Sequence, residues 1–365
     1  MKNVGTCTAL ASIIMLIPFG QVYGKTFPEQ ERFIAVYFDN DFLLDIAGDA
    51  FGEDRNYTMG LGFVWGPENQ TDGWLYSAHD YLAKALKVGP YSPMNNDKAV
   101  PNFTRYKVSG TAFTPEDLTR YDVVYGDRPY SFLLNYGVQQ ITAFAIGDSK
   151  KVNYSESTEL SIGVWGLDIG EDVQTFIHKH ISGSPIPNGW SNQISDGGEP
   201  SFLLGRTQKW KKFEYSLKDN VLIDVTTSVN TSIGYQTHVQ AGIDIRIGNT
   251  GISEFYEHDF IALGPQVEMV ESEPHHDKGM YFYLGYRLSG NIYNVGLQGQ
   301  FRSNDYEIDA GDIKRITHTY GFGIVARPFQ KVGLSFGFTW RTPEFESRLY
   351  ERTHGYGSLN VFWNY

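Results

Sequence analysis

Two segments near the C-terminus alternate strictly between large apolar residues and small or polar ones. Between residues 332 and 340, every second residue is large and apolar, and the residues between them are Gly, Ser or Thr. The last eight residues repeat this spacing with Leu359, Val361, Trp363 and Tyr365. Because successive side chains of a strand point to opposite faces, whereas a helix repeats about every 3.6 residues, this alternation predicts strands with one apolar face.

Many such strands in one chain predict an all-β fold, specifically a transmembrane antiparallel β-barrel. A C-terminal aromatic residue that closes the last strand is typical of outer-membrane barrels, where it lies at the periplasmic interface. The sequence combines 24 Tyr, 24 Phe and 39 Gly with a negative mean hydropathy. A barrel explains this combination, since a polar lumen offsets the lipid-facing residues in the average. A soluble all-β sandwich is the competing fold.

About twelve segments fit the strand pattern, and barrel closure favours an even number. Residues 280–300 are long enough to form one tilted strand, or two strands joined near Asn291, which leaves the count open by one hairpin. The predicted strands are residues 31–39, 57–65, 104–113, 130–144, 155–166, 201–215, 221–230, 235–247, 280–300, 315–328, 332–340 and 358–365.

The N-terminus has the pattern of an export signal. Lys2 precedes an apolar run over residues 9–19, and Val22-Tyr23-Gly24 offers small residues for cleavage before Lys25. The run is shorter than the ~20 residues of a membrane-spanning helix. The sequence therefore predicts a signal peptide over residues 1–24 and a single barrel domain over residues 25–365, located in the outer membrane of a Gram-negative bacterium.

Charge and cysteine content exclude some functions. Of the 30 basic residues only Lys2 lies in the signal peptide, so the mature chain carries 29 basic and 42 acidic residues, a net charge of −13. This charge disfavours nucleic acid, a polyanion, as a partner. The only cysteine, Cys7, also lies in the signal peptide, so neither thiol chemistry nor disulfides are expected in the mature protein.

Strand parity groups the long connections at the two ends of the barrel. If both termini are periplasmic, the connections after odd-numbered strands are extracellular. Residues 40–56, 114–129 and 167–200 then lie at one end, where their side chains can meet. Residues 67–102 lie at the other end, and the apolar spacing within residues 74–88 predicts an amphipathic, interfacial helix there.

The first outer loop is rich in oxygen ligands. It begins with Asp39-Asn40-Asp41 and ends with Asp54-Arg55-Asn56-Tyr57-Thr58. Clustered carboxylate and amide oxygens suit Ca²⁺, although Asx-rich strand ends are also common in ordinary turns. In the second loop, Asp127-Arg128 predicts a turn pinned by a salt bridge.

The third outer loop carries a histidine within a predicted extracellular helix over residues 171–181. Gln174 and His178 are four residues apart and therefore share one face of that helix. A histidine can act as a general base near neutral pH. A lone helical histidine is, however, more often a surface or packed residue.

Together these segments resemble the outer-membrane lipid A 3′-O-deacylase family. The matching motifs are Phe38-Asp39-Asn40-Asp41, Asp54-Arg55-Asn56-Tyr57-Thr58-Met59-Gly60, Asp127-Arg128-Pro129-Tyr130, the span from Gln174 to His178, and Gly189-Trp190-Ser191-Asn192-Gln193. The resemblance implies a twelve-stranded barrel with a site open to the outer leaflet. It also implies a calcium-dependent esterase that removes an acyl chain from the lipid A of lipopolysaccharide.

The resemblance also implies the roles of individual residues. His178 would be the catalytic base and Gln174 its supporting residue, Thr58 would line the site, and Asn40 and Asp41 would bind Ca²⁺. The implied mechanism is similar to that of secreted phospholipases A2, in which histidine-activated water attacks the ester and calcium holds the oxyanion. The sequence departs from the family pattern twice: it lacks a basic pair near residues 114–117 and an acidic residue at residues 182–184.

Two other functions stay open at this point. A passive outer-membrane pore is one, since the narrow lumen of a twelve-stranded barrel can be open or filled. A barrel phospholipase with a serine–histidine–asparagine site is the other, because Ser and Asn are plentiful on the inward faces. The sequence contains no H-E-x-x-H zinc motif, and it specifies neither the acyl chain removed nor an oligomeric state.

Overall fold

A computed structural model describes residues 32–41, 43–44, 56–66, 73–93, 99–146, 152–182, 185–217, 221–249, 279–329 and 331–365. In these residues twelve antiparallel strands form a closed barrel, in which β12 returns to pair with β1. The strands are β1 Phe33–Asn40, β2 Asn56–Gly66, β3 Ala99–Thr114, β4 Ser131–Phe144, β5 Tyr154–Trp165, β6 Glu199–Ser216, β7 Leu222–Gly234, β8 Gln236–Gly248, β9 Gly279–Asn294, β10 Ile316–Phe329, β11 Val332–Arg341 and β12 His354–Asn364. The predicted barrel and its twelve strands are confirmed.

Within the described residues, three short α-helices lie in the connections, at Trp74–Leu86 (α1), Ile169–Ile177 (α2) and Val295–Gln298 (α3). Residues 280–300 form one strand followed by α3, whose start is capped because Asn294 Oδ1 accepts a hydrogen bond from the Gly296 N–H. The alternative with an extra hairpin is therefore wrong. Among the described helices, none has both the length and the hydrophobicity to cross a membrane. The predicted signal peptide lies outside the described residues and stays a prediction.

The strand register separates a lipid-facing wall from a lumen, as the alternation predicted. Ile34, Leu334 and Val361 point outward, and each is 40–41% exposed. Their neighbours Ala35 and Ser335 are buried inside the barrel. Because one strand residue faces lipid and the next faces the lumen, inward and outward positions can be assigned along every paired strand.

The lumen is filled with apolar side chains at the end of the barrel that carries the C-terminus. This layer, here called the plug, contains Phe33, Ala35, Tyr37, Val64, Phe103, Ile141, Ala143, Tyr281, Tyr283, Val325 and Phe362. Glycine makes room for its rings: a Cβ on Gly333 would lie only 1.7 Å from the Phe362 ring. The expectation of a polar lumen is wrong in this layer.

Charged residues elsewhere in the lumen are neutralised in pairs, as buried charges require. These pairs are Arg246–Asp224 at 2.5 Å, Lys107–Glu159 at 2.6 Å and Arg287–Asp244 at 2.8 Å. The lumen thus combines the apolar plug with ion pairs, and it also holds a cavity lined by inward side chains such as Asn135, Ser232 and His238.

The predicted helix after β2 is confirmed as α1, which lies on the outside of the barrel. Its Leu75 packs against Tyr106, Val138 and Leu160, three residues paired side by side on β3, β4 and β5. Leu160 shares its face with Ile162, which is 36% exposed on the lipid-facing wall. Helix α1 therefore covers part of that wall.

The second and third outer loops join, as strand parity predicted. The backbone N–H of Asn188 donates to Leu118 O at 2.9 Å, and that of Ile194 donates to Tyr130 O at 2.8 Å. These bonds anchor the segment after α2 against the segment before β4. The loops consequently build one structure at the outer end of the barrel.

Candidate active site on the outer wall

A bulge in β2 re-aims the residues at the outer end of that strand. The register shifts between Tyr57 and Met59, and Met59 pairs with Ala112, which leaves Thr58 as the extra residue. Bulges commonly redirect a side chain beside a functional site. The Thr58 hydroxyl lies 2.6 Å from the hydroxyl of Thr114, a residue with the outward parity of Ala112.

The oxygen-rich segment of the first loop is divided by the barrel wall. Asn40 has outward parity, and its Nδ2 donates to Thr58 O at 2.8 Å. Asp39 faces the lumen, where its carboxylate accepts a hydrogen bond from Tyr57 OH at 2.9 Å. Asp41 follows the strand and is buried. Asn40 and Thr58 therefore meet on the lipid-facing side, whereas Asp39 does not join them.

Helix α2 packs on the outward faces of β3 and β4. Gly170, Gln174 and His178 are spaced four residues apart and all are buried, so they form one stripe along α2 and its C-terminal end. A Cβ on Gly170 would lie 2.8 Å from the Cβ of Phe132, whose side chain is on the outward face of β4. The stripe therefore faces the wall of the barrel.

Apolar side chains fill the space between α2 and the wall. This wall cluster consists of Met59, Ala112, Leu118, Tyr130, Phe132 and Trp190, with Phe38, Leu134, Leu167, Ile169, Val173 and Ile177 packed against them. Met59 adjoins Thr58, and Ile177 adjoins His178, so the polar residues border the same apolar cluster. The candidate site is thus embedded in the lipid-facing surface.

His178 lies where α2 gives way to a π-helical turn, His178–Ser182. Helix α2 covers Ile169–Ile177, so it begins and ends earlier than the helix predicted over residues 171–181. The His178 Nδ1 lies 2.6 Å from Pro185 O. Because a carbonyl oxygen only accepts hydrogen bonds, Nδ1 carries the proton in the neutral ring and Nε2 carries the lone pair. His178 is therefore in the tautomer needed for a base that acts through Nε2.

Trp190 fixes the orientation of Gln174. Its indole N–H donates to Gln174 Oε1 at 2.8 Å, and its ring packs against Tyr130 with centroids 4.9 Å apart. The Nε2 of Gln174 is buried and has no hydrogen-bond partner within the described part of the chain. Since an unsatisfied buried donor is costly, this amide is well suited to donate to a bound ligand.

The second loop is tied to the connection between β11 and β12. Arg352 donates to Asp127 at 3.0 Å, and Arg128 pairs with Glu344. Burial alone would raise the pKa of Glu344, but attraction to Arg128 and Arg341 outweighs it and lowers this pKa to about 2. The predicted salt bridge in the second loop is confirmed. Its partners Arg352 and Glu344, which lie in the connection between β11 and β12, were not predicted.

Sequence reasoning also missed Thr114, the Pro185 carbonyl and the role of Trp190. A backbone carbonyl leaves no signal in a sequence, and only the Trp in an otherwise polar segment could have pointed to Trp190. In the ranges that the structure describes, no three His, Cys, Asp or Glu side chains form a group suited to a metal ion. The proposed ligands Asn40 and Asp41 provide one carboxylate and one amide.

A family model described as outer membrane protein LpxR matches residues 7–365. The chain belongs to the LpxR family. This LpxR family member is accordingly an outer-membrane protein, in agreement with its closed barrel. Comparison with curated proteins finds no match.

Solved structures include one with the same fold. LpxR from Salmonella typhimurium is 16% identical, with a TM-score of 0.69 over 91% of this chain and 100% of that one. The β domain of the Bordetella autotransporter BrkA is 8% identical, with a TM-score of 0.42 over 92% of this chain and 100% of that one. An outer membrane channel from Pseudomonas putida F1 is 7% identical, with a TM-score of 0.39 over 94% and 100%.

Proposed function

We propose that this LpxR family member is a lipid A deacylase that hydrolyses an ester-linked acyl(oxyacyl) chain of lipopolysaccharide in the outer leaflet. The observation that carries the proposal is His178, whose Nδ1–H is held by Pro185 O at 2.6 Å. The neutral ring therefore has its lone pair on Nε2, and His178 belongs to a buried stripe that faces the lipid-exposed wall. A base in this position favours an ester of a membrane lipid over a solute in the lumen.

In the proposed reaction, the His178 Nε2 removes a proton from water while the water oxygen forms a bond to the ester carbonyl carbon. The bond between that carbon and the ester oxygen then breaks. The imidazolium returns its proton to the departing alkoxide, which leaves a free hydroxyl group on the sugar and a fatty acid. No covalent intermediate is required.

Gln174 and Thr58 act as supporting residues in this proposal. The Trp190 indole N–H donates to Gln174 Oε1. The Gln174 Nε2 therefore presents its hydrogens to the attacking water or the ester. Thr58 lines the site beside Thr114. Donors held in place before the reaction stabilise developing negative charge without reorganisation.

Asn40 and Asp41 are the residues proposed to hold calcium. Their oxygens are hard donors of the kind that Ca²⁺ prefers, and both side chains are buried at the outer end of β1. Asn40 Nδ2 donates a hydrogen bond to the Thr58 carbonyl oxygen, so the other side of the amide, Oδ1, faces away from Thr58 O. When bound, calcium would supply positive charge to stabilise the oxyanion.

A passive pore is the less favoured function, because the plug fills the lumen with packed aromatic rings. The serine-dependent phospholipase has one observation in its favour. Ser232 Oγ lies 3.0 Å from His238 Nδ1, and His238 Nε2 lies 2.8 Å from Asn230 Oδ1. This trio faces the lumen, however, and Ser232 also donates to Gln236 O at 2.8 Å.

One sequence match to a serine hydrolase motif is explained by its location. Gly333-Leu334-Ser335-Phe336-Gly337 has the letters of G-x-S-x-G. These residues lie within the regular strand β11, whereas a nucleophile elbow needs a strand-to-helix turn. The motif therefore does not support a serine nucleophile.

Mass spectrometry of lipid A provides the decisive test. Lipid A should be isolated from cells that lack the protein, from cells that carry it and from cells that carry His178→Ala. We expect loss of one ester-linked acyl group only with the unmodified protein. Lipid A that is identical in all three strains, with the protein present in the outer membrane, would contradict the proposal.

A further inference from the structure

The outer ends of β1 and β2 are joined by one side-chain hydrogen bond on each face of the barrel wall. Asp39 and Asn40 are the last residues of β1, and Tyr57 and Thr58 lie at the bulge of β2. On the lumen side, Tyr57 OH donates to the Asp39 carboxylate at 2.9 Å. On the lipid-facing side, Asn40 Nδ2 donates to Thr58 O at 2.8 Å. Two consecutive residues of each strand therefore hold the same ends together from both faces.

The lumen-side bond joins two side chains that are closely packed. Tyr57 is fully buried, and its ring packs against Tyr356 and Phe113 with centroids 4.5 and 5.4 Å apart. Gly60 lies directly opposite Asp39 on β2. A Cβ on Gly60 would collide with the Tyr57 hydroxyl, so the bond to Asp39 needs glycine at this position.

The ends of the two strands need such support because the bulge interrupts their regular pairing. The extra residue of a bulge does not take part in the ladder of backbone hydrogen bonds, and here that residue is Thr58. On β1, Asn40 is the final strand residue and Asp41 lies beyond the strand. The positions of Asn40, Asp41 and Thr58 therefore depend on how firmly the ends of β1 and β2 are held together.

We propose that Asp39 and Tyr57 are positioning residues for a calcium site on the opposite face of the wall. This inference rests on the proposed function, in which Asn40 and Asp41 hold calcium. Asp39 faces the lumen and acts through the backbone that it shares with Asn40, one residue or about 3.3 Å along the chain. Its bond to Tyr57 holds β1 against the bulge, so that the two proposed ligands are in place before the ion binds.

Calcium binding to purified, metal-depleted protein in detergent tests this inference without relying on hydrolysis. Isothermal titration calorimetry with Ca²⁺ alone gives the Kd for each variant. Tyr57→Phe removes the hydroxyl and keeps the packed ring, and Gly60→Ala displaces the hydroxyl from Asp39. Each change should raise the Kd about fivefold, the value of one hydrogen bond.

Two substitutions of Asp39 separate positioning from a direct effect of its charge. Asp39→Asn keeps an oxygen that can accept the hydrogen bond from Tyr57, whereas Asp39→Ala does not. The asparagine variant should therefore bind Ca²⁺ more tightly than the alanine variant. Equal weakening in both, with an unchanged Kd in Tyr57→Phe, would show that Asp39 acts through its charge and would overturn the proposal.

Tyr37→Phe is the matched control, because it removes a hydroxyl from another buried tyrosine on the inward face of β1, within the plug. Its Kd should stay unchanged, and heat-modifiable gel mobility checks that every variant is folded. If Gly60→Ala does not fold, the comparison of Tyr57→Phe with Tyr37→Phe decides. An unchanged Kd in Tyr57→Phe, or an equal rise in the control, would overturn the positioning role and leave the deacylase proposal intact. Unmodified protein that hydrolyses the ester but binds no Ca²⁺ would overturn this inference together with the calcium ligands, and not the hydrolysis.

Discussion

Replacing His178 with alanine should remove catalysis and leave the barrel intact. Loss of a general base lowers kcat by about a hundred- to ten-thousand-fold, which corresponds to ~3–5 kcal/mol of transition-state stabilisation. The same change removes the hydrogen bond to Pro185 O, a local loss of ~1 kcal/mol. His178 lies outside the strands, so the hydrogen-bonded wall should persist. KM should change little, because His178 is proposed to activate water and not to hold the lipid.

Steady-state hydrolysis of a lipid A ester by purified variants would measure this effect, with heat-modifiable mobility as the check on folding. His180→Ala is the matched control: it lies in the same turn, is exposed, and its ring contacts Phe176 O at 2.9 Å. It should retain nearly full activity. Near-normal kcat in folded His178→Ala protein, or an equal loss in His180→Ala, would refute the assignment of His178 as the base.

Four further predictions follow from the same geometry. Chelation should abolish hydrolysis, and Ca²⁺ should restore it better than Mg²⁺, because an irregular oxygen site suits the larger ion; full activity in excess chelator would remove calcium from the reaction. Trp190→Phe keeps an aromatic ring but removes the indole N–H that holds Gln174 Oε1. The Gln174 amide can then rotate, so kcat should fall by about fivefold, the value of one hydrogen bond, without a matching rise in KM. The pKa of Glu344 is about 2, against an ordinary 4.5, so its pairing with Arg128 is fully stabilising above pH 4.5 and is lost as the pH falls toward 2. The protease resistance of the outer loops should fall over the same pH range. Glu344→Gln should lower that resistance even at neutral pH. A fluorophosphonate should leave activity intact, whereas inactivation with labelling of Ser232 would favour the serine-dependent phospholipase.

Most of the barrel could be predicted from the sequence, because its wall obeys one simple repeat. A lipid-facing residue such as Leu334 must be apolar, while its neighbour Ser335 need not be. The same repeat set the parity of the loops, and the second and third loops do meet. The plug was not predictable in this way, because the repeat leads one to expect polar residues on the inward face. The inward Phe362 depends instead on the space left by Gly333 on the next strand.

The candidate site was only partly predictable, because its geometry depends on irregular backbone. Simple alternation from Met59 would place Thr58 on the inward face. The bulge instead brings its hydroxyl beside that of outward-facing Thr114. Alternation does separate Asp39 from Asn40, although the sequence presents them as one cluster. The tautomer of His178 depends on a carbonyl seven residues later, and Gln174 depends on Trp190 across the loop. Contacts of this kind arise from the folded loop and have no periodic signature.

The plug also has a consequence for how substrate is encountered. With one end of the lumen closed by the plug and His178 on the lipid-facing side, a lipid substrate of the proposed enzyme would reach the site by lateral diffusion within one leaflet. The quantity that saturates such an enzyme is the mole fraction of substrate in the surrounding membrane, and not its concentration in bulk water. Diluting the substrate with inert lipid or detergent should therefore raise the apparent KM even when the total amount is constant. By the same reasoning, an effective inhibitor must first partition into the outer leaflet.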